Sequence, residues 1–191
     1  AVEVVDRGEE ALRLVMDKSK MPALTEVLGA LAPDLAANII DAARGGTEVV
    51  LAISETVRDG SSMVAMLGDR GRAHEVLRPA MFLGEPAPYP IAPWLIAATL
   101  DLPVLLCLGT YRGGNRYDLV FEPRADRVVL PRAGREAALD ACIGLYASRL
   151  EHYVRDAPYN WFNFYDFWHE QSREDAAAPA AGTLRHTVAA K

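Results

Sequence analysis

The run IAPWLIAATLDLPVLLCLGTY, residues 91–111, carries a single charge, Asp101, in twenty-one positions. A stretch that apolar must leave water, and it can enter either a bilayer or a protein core. Its length suffices for a membrane-spanning helix. Asp101 and Pro103 fall in its middle, however, and a proline there removes a backbone donor and clashes with the preceding turn. The pattern therefore predicts a buried helix over Trp94–Leu100, a break, and a buried strand over Pro103–Tyr111. Arg112-Gly113-Gly114-Asn115 follows, a hairpin turn into a second strand over Arg116–Glu122.

The rest of the chain repeats this alternation. Leu12–Asp17, Ala36–Ile40 and Ser62–Leu67 are apolar runs of strand length. Between them, Pro22 opens a helix to Leu31 from a tolerated first-turn position. Another helix is expected after Gly45–Gly46, with Thr47 as its cap and Val49, Val50, Ile53 and Val57 at helical spacing. RPAMFLGEPAPYPIAP holds five prolines between Pro79 and Pro93 and reads as an extended loop rather than sheet interior. Arg135–Arg155 is a long amphipathic helix with Leu139, Cys142, Ile143, Tyr146, Leu150 and Tyr153 on one face. The expected fold class is α/β: a mixed, largely parallel sheet flanked by helices, with one C-terminal hairpin and a long C-terminal helix. One domain is expected over residues 1–168. Residues 169–191, rich in Ala and isolated charges, read as a disordered tail.

A net charge of −6 argues against general nucleic-acid binding, which needs a basic footprint. Cys107 and Cys142 sit inside apolar patterns and read as buried thiols of a reducing, cytoplasmic compartment. Ala1–Asp6 is short and acidic, so no secretory leader is expected. Among chemistry-bearing residues, Gly68-Asp69-Arg70-Gly71-Arg72 follows a strand, where α/β proteins place ligand loops. Asp69 can orient Arg70, whose fork can grip phosphate or carboxylate; taken by itself, the motif reads first as a surface turn with a salt bridge. Arg78, Arg112 and Arg116 could extend a basic rim. His74 follows that loop, His152 faces Asp156 one turn away, and His169 and His186 lie near the end. There is no Ser–His–Asp order, no zinc spacing and no glycine-rich phosphate loop. Finally YNWFNFYDFW, residues 159–168, places seven aromatics in ten positions. Such a block either lays rings over a core or offers an apolar wall to a lipid.

Taken in order, residues 61–111, SSMVAMLGDRGRAHEVLRPAMFLGEPAPYPIAPWLIAATLDLPVLLCLGTY, resemble the second half of the lysophospholipid-acyltransferase-like superfamily, in the branch that includes the bacterial lipid A late acyltransferases. The matching features are the Asp-containing turn Gly68-Asp69-Arg70, the proline- and glycine-bearing loop Arg78–Pro90 and the strand opening Leu102-Pro103-Val104. LEHYVRDAPYNWFNFYDFW, residues 150–168, is similar to the ending of an acyltransferase branch found with aryl polyene pigment clusters. The similarity runs over about residues 10–168.

Members of that superfamily carry a His-x4-Asp or His-x4-Glu motif whose histidine takes the acceptor proton so that the hydroxyl can attack an acyl thioester. No histidine precedes His74 here. His169 and Glu174 have the count but follow the aromatic block, and are read as coincidence. The resemblance thus implies the C-terminal portion of an acyltransferase, or a member without its catalytic centre, and assigns no catalytic residue within the chain. It further implies acyl carrier protein or CoA thioester as donor and a lipid or glycolipid hydroxyl or amine as acceptor. No bound cofactor or metal is implied. The location would be peripheral, on the cytoplasmic face of the bacterial inner membrane, with a partner chain or preceding segment completing the site. Asp69, Arg70 and Arg72 would organise the acceptor or phosphate side. The Met81–Pro90 loop, with Phe82 and Pro90, would cover the acyl side, and Trp161 and Phe164 would wall the groove or close the core. The alternative is a non-catalytic acyltransferase-like module that binds lipid or protein.

Overall fold

In the computed structural model, residues 12–19, 22–58, 60–71, 75–161, 163 and 166–168 are described. Three of the short apolar runs lie side by side. β1 (Leu12–Met16), β2 (Ile39–Asp41) and β3 (Met63–Ala65) form a parallel sheet in the order β2-β1-β3, with Leu14 opposite Ile39 and Leu12 opposite Met63. Parallel neighbours need crossovers. α1 (Pro22–Leu31) and α2 (Pro33–Ala37) carry the chain from β1 to β2, and α3 (Gly46–Thr56) carries it from β2 past β1 to β3. The two crossovers step to opposite sides of β1. Open α/β sheets bind ligands outside the carboxyl ends of their strands.

Two local expectations are corrected in this half. The strand placed at Ala36–Ile40 begins only at Ile39, because Pro33 starts the short helix α2 instead. Thr47 is not a cap: it lies inside α3, and Gly45, at φ +109°, precedes the helix with no side-chain hydrogen bond. Asp41 does the local bonding, accepting from Lys18 N (3.3 Å) and Ala43 N (3.1 Å) and so tying the ends of β1 and β2 together.

The proline-studded segment is the largest correction. It is a hairpin of β4 (Leu77–Phe82) and β5 (Glu85–Pro90). Its prolines all fall in alternate rows of the ladder, Leu77 opposite Pro90, Pro79 opposite Pro88 and Met81 opposite Pro86. In an antiparallel pair, only every second row exchanges hydrogen bonds. The prolines occupy the other rows, so the ladder loses no donor, and Ile91 N to Val76 O (3.3 Å) continues the bonded parity. The turn is Leu83-Gly84, both at positive φ (54° and 97°), as a two-residue type I′ loop requires. Leu83 N donates to Glu151 Oε2 at 2.7 Å, which holds the unusual leucine in place.

α4 (Ala92–Leu100) ends where the charge and proline said it would. Asp101 takes a left-handed conformation (φ 56°), and Leu102 N bonds back to Ala97 O at 2.9 Å. β6 (Val104–Gly113) and β7 (Arg116–Ala125) then pair antiparallel across Gly114-Asn115. α5 (Arg135–Asp156) follows. The fold is thus mixed α/β, but its strands do not form one continuous sheet. Among the described residues the parallel part has three strands, and two hairpins stand as separate ribbons.

The main core lies between α5 and the β4–β5 hairpin. Leu139, Ile143, Ala147, Leu150 and Val154 of α5 are buried against Phe82, Ala87, Tyr89, Trp94 and Phe167. A smaller core joins α3 to the parallel sheet through Ile40, Val49 and Ile53, with Ile96 and Leu100 of α4 packed against it. α4 thereby serves both cores. Cys107 is exposed on β6, not buried as its apolar setting suggested, because it falls on the outward side of the strand; Cys142 is half-buried. Among the described residues no helix is long and apolar enough to cross a membrane. The tail expected over 169–191 lies outside the described residues.

Candidate functional site

A cavity of about 670 Å³ opens at the carboxyl ends of β1 and β3. β1 contributes Val15 and Met16 with Asp17 just beyond; the loop after β3 contributes Met66, Leu67, Arg70 and Gly71. The first turns of α3 supply Thr47, Val49, Val50 and Leu51, and Pro90, Pro93, Leu95 and Ile96 complete the walls. The volume lies within the range of small-molecule sites, and the composition matches them too: apolar walls and a few polar groups. Those groups are Asp17, Thr47, Arg70 and Glu75. The site is built where the stretches leaving β1 and β3 meet the first turns of α3 and α4.

The residues expected to bind substrate divide into four groups, Asp69 standing alone as the last. Arg70 and Pro90 are brought together here, Arg70 exposed and Pro90 buried in the wall. Phe82 is not along this cavity but in the core, and Trp161 packs there with it, the core-closing one of its two expected roles. Phe82 is 0% exposed, and its ring meets Trp161 at 5.0 Å, Phe167 at 5.6 Å and Trp168 at 6.1 Å. The cause is the hairpin parity, which turns Phe82, Ala87 and Tyr89 towards α5. Arg72 and Phe164 lie outside the described residues, as do His74, Phe162 and the His169–Glu174 pair.

Asp69 is half-buried and does not line the cavity. Its carboxylate instead acts on two tyrosines. Burial, and then the negative charge of Asp69, push the Tyr89 and Tyr146 hydroxyls well above their ordinary range. The hydroxyl end of the Tyr146 ring abuts Gly68, so close that a β-carbon there would sit 2.8 Å from its Cζ. The Tyr89 hydroxyl is buried with no hydrogen-bond partner among the described residues.

The basic rim does not form either. Arg78 on β4 grips Asp140 of α5 through Nε (2.5 Å) and Nη2 (2.9 Å) and also pairs with Glu136. Arg112 pairs with Asp118 (2.7 Å) and Asp156 (3.8 Å), so Asp156 serves an arginine of the hairpin. Arg116 stays exposed at the hairpin tip.

Sequence reasoning missed two arrangements. The first is the share of α3 and α4 in the cavity, because Val50, Leu51, Leu95 and Ile96 carry the same helical spacing as ordinary core. The second is a cluster between β7 and α5. Glu122 accepts from Arg149 Nε (3.0 Å) and Nη2 (2.5 Å) and from the Tyr153 hydroxyl, and pairs with Arg124 at 2.9 Å. The hydrogen bonds from Arg149 and Tyr153 hold its carboxyl down at about 2. Arg149 and Tyr153 meet Glu122 across 27 and 31 residues of sequence, so no local spacing announces the cluster.

No group of three or more potential metal ligands occurs among the described residues. No known protein-family profile matches the chain, and a search of characterised proteins returned no match to it.

Proposed function

We propose that this domain holds the acyl chain of a thioester donor in an acyltransferase-like protein, one that passes the acyl group from acyl carrier protein or CoA to a lipid or glycolipid hydroxyl or amine. The observation that carries this reading is the apolar cavity at the β1/β3 crevice, with Arg70 at its rim. An apolar chain would occupy the walls of α3 and α4, leaving its polar end near Asp17, Thr47 and Arg70. The resemblance of residues 61–111 and 150–168 supports the same assignment. An alcohol is a poor nucleophile at neutral pH until a base takes its proton. No histidine precedes His74 in the sequence, where the resemblance would place the motif, so in this reading the base comes from outside the chain. The working place would be the cytoplasmic face of the inner membrane, with the domain attached peripherally.

A second reading is a non-catalytic module that binds acyl chains, favoured because no histidine precedes His74 in the sequence. Titration with an environment-sensitive fluorescent fatty acid tests what the two share. Saturable one-site binding is expected, weakened at least tenfold by Val50→Trp, which fills the cavity. Arg70→Ala should weaken a fatty acid more than the matching alcohol. No saturable binding sinks both readings. Acyl-carrier-protein thioester and lipid acceptors, offered to the complete protein, then separate them: transfer supports the enzyme, and binding without transfer or thioester hydrolysis supports the module.

A further inference from the structure

The outer face of the β6–β7 ribbon is built from four cross-strand rows: Leu105 opposite Pro123, Cys107 opposite Phe121, Gly109 opposite Leu119 and Tyr111 opposite Tyr117. All eight residues are exposed and none is charged. The opposite face behaves differently: Leu106 and Thr110 are buried, and Asp118 and Glu122 carry ion pairs. A two-stranded ribbon with a wholly apolar outer face is a surface that folded proteins normally cover.

We propose that this face is a dimerisation surface, covered by the same face of a second copy of this chain. Size is the first argument. Leu105, Tyr111, Tyr117, Leu119 and Phe121 are 45–64% exposed. With aromatic side chains offering about 150–250 Å² each, the face presents roughly 600 Å² of apolar surface. Two copies would bury about 1,200 Å², where stable protein interfaces begin. Charge is the second. Two such faces meet with no like charges opposed, as a self-complementary twofold contact requires. A bilayer would instead want free basic residues around the apolar patch. Here Arg112, Arg124, Arg127 and Arg149 beside the ribbon are each already paired with a carboxylate of the same chain, which leaves Arg116 at the hairpin tip as a single basic residue rather than a ring of them.

Cys107 makes the geometry testable, because it lies one row from the centre of the face and would approach its own copy across the twofold axis. Analytical ultracentrifugation should show a reversible monomer–dimer equilibrium in the micromolar range, in keeping with the modest area. The double variant Leu119→Lys, Phe121→Lys should raise Kd at least tenfold without loss of secondary structure, since both side chains are exposed. A short bismaleimide should link the dimer through Cys107, a product lost in Cys107→Ser and kept in Cys142→Ser. A monomer at every concentration overturns the proposal, and so does a dimer indifferent to the double variant. Vesicle binding by a monomeric chain, abolished by the same two lysines, overturns it in favour of a lipid surface.

Discussion

Phe82→Ala separates the two roles that an aromatic block can have. The Phe82 side chain is fully buried, and four rings surround it: Trp161 at 5.0 Å, Phe167 at 5.6 Å, Trp168 at 6.1 Å and Tyr89 at 6.3 Å. Removing such a ring costs about 3–5 kcal/mol when the surroundings cannot close over the space. Three of the neighbours belong to the irregular segment after α5 and can settle partway, which favours the lower half, about 3–4 kcal/mol. For a chain of this size, each kcal/mol lowers the melting temperature by about 2–4 °C, so a drop of about 6–16 °C is expected. Urea unfolding followed by tryptophan emission reads this directly, because Trp161 and Trp168 flank the site. Phe82→Leu should cost much less, about 1 kcal/mol, since most of the volume remains. Affinity for the fluorescent fatty acid should stay within about twofold for both folded variants. A loss below about 1 kcal/mol accompanied by changed fatty-acid affinity would refute the packing account and return Phe82 to a ligand groove.

Other perturbations read other parts of the structure. Gly68→Ala forces a β-carbon to within 2.8 Å of the rigid Tyr146 ring and should cost about 1–3 kcal/mol in urea unfolding. Gly71→Ala meets only the movable end of the Leu77 side chain, at 2.5 Å, and should cost clearly less. Glu122, held at about 2 against an ordinary value of 4.5, adds stability that is complete above pH 4.5 and disappears as pH falls through about 2. Urea midpoints measured from pH 6 to pH 2 should therefore decline less steeply in Glu122→Gln than in the parent; equal slopes would show that the cluster does not hold in solution.

Much of the architecture was legible in the sequence wherever one local rule acted alone. Pro22 and the run to Leu31 gave α1 to the residue, and Asp101 with Pro103 marked the end of α4. The apolar face of α5 was read correctly except that Ala147 and Val154 carry burial expected of Cys142 and Tyr153. The hairpin Leu77–Pro90 escaped because proline was weighed by number, while its effect depends on parity. Prolines at 86, 88 and 90 sit two apart and match the strand period, a signal visible in the sequence once that period is considered. For the candidate site, Arg70 and Pro90 were legible from a loop after a strand and a segment before a helix. Val50 and Ile96 were not, because helical spacing does not distinguish a wall that faces a cavity from one that faces a core. Phe82 was misplaced for the same reason: its face depends on which rows of the hairpin are bonded.

That parity also determines what the hairpin can no longer do. Residues in the unbonded rows of a ribbon point their amide groups away from the partner strand. On β5 those residues are Pro86, Pro88 and Pro90, so the free side of the strand offers carbonyls and not one N–H. An incoming strand needs both donors and acceptors to extend a sheet, and here it would find only half of them. The β5 margin is therefore closed to runaway polymerisation by its own covalent structure, whatever the concentration or the company the chain keeps.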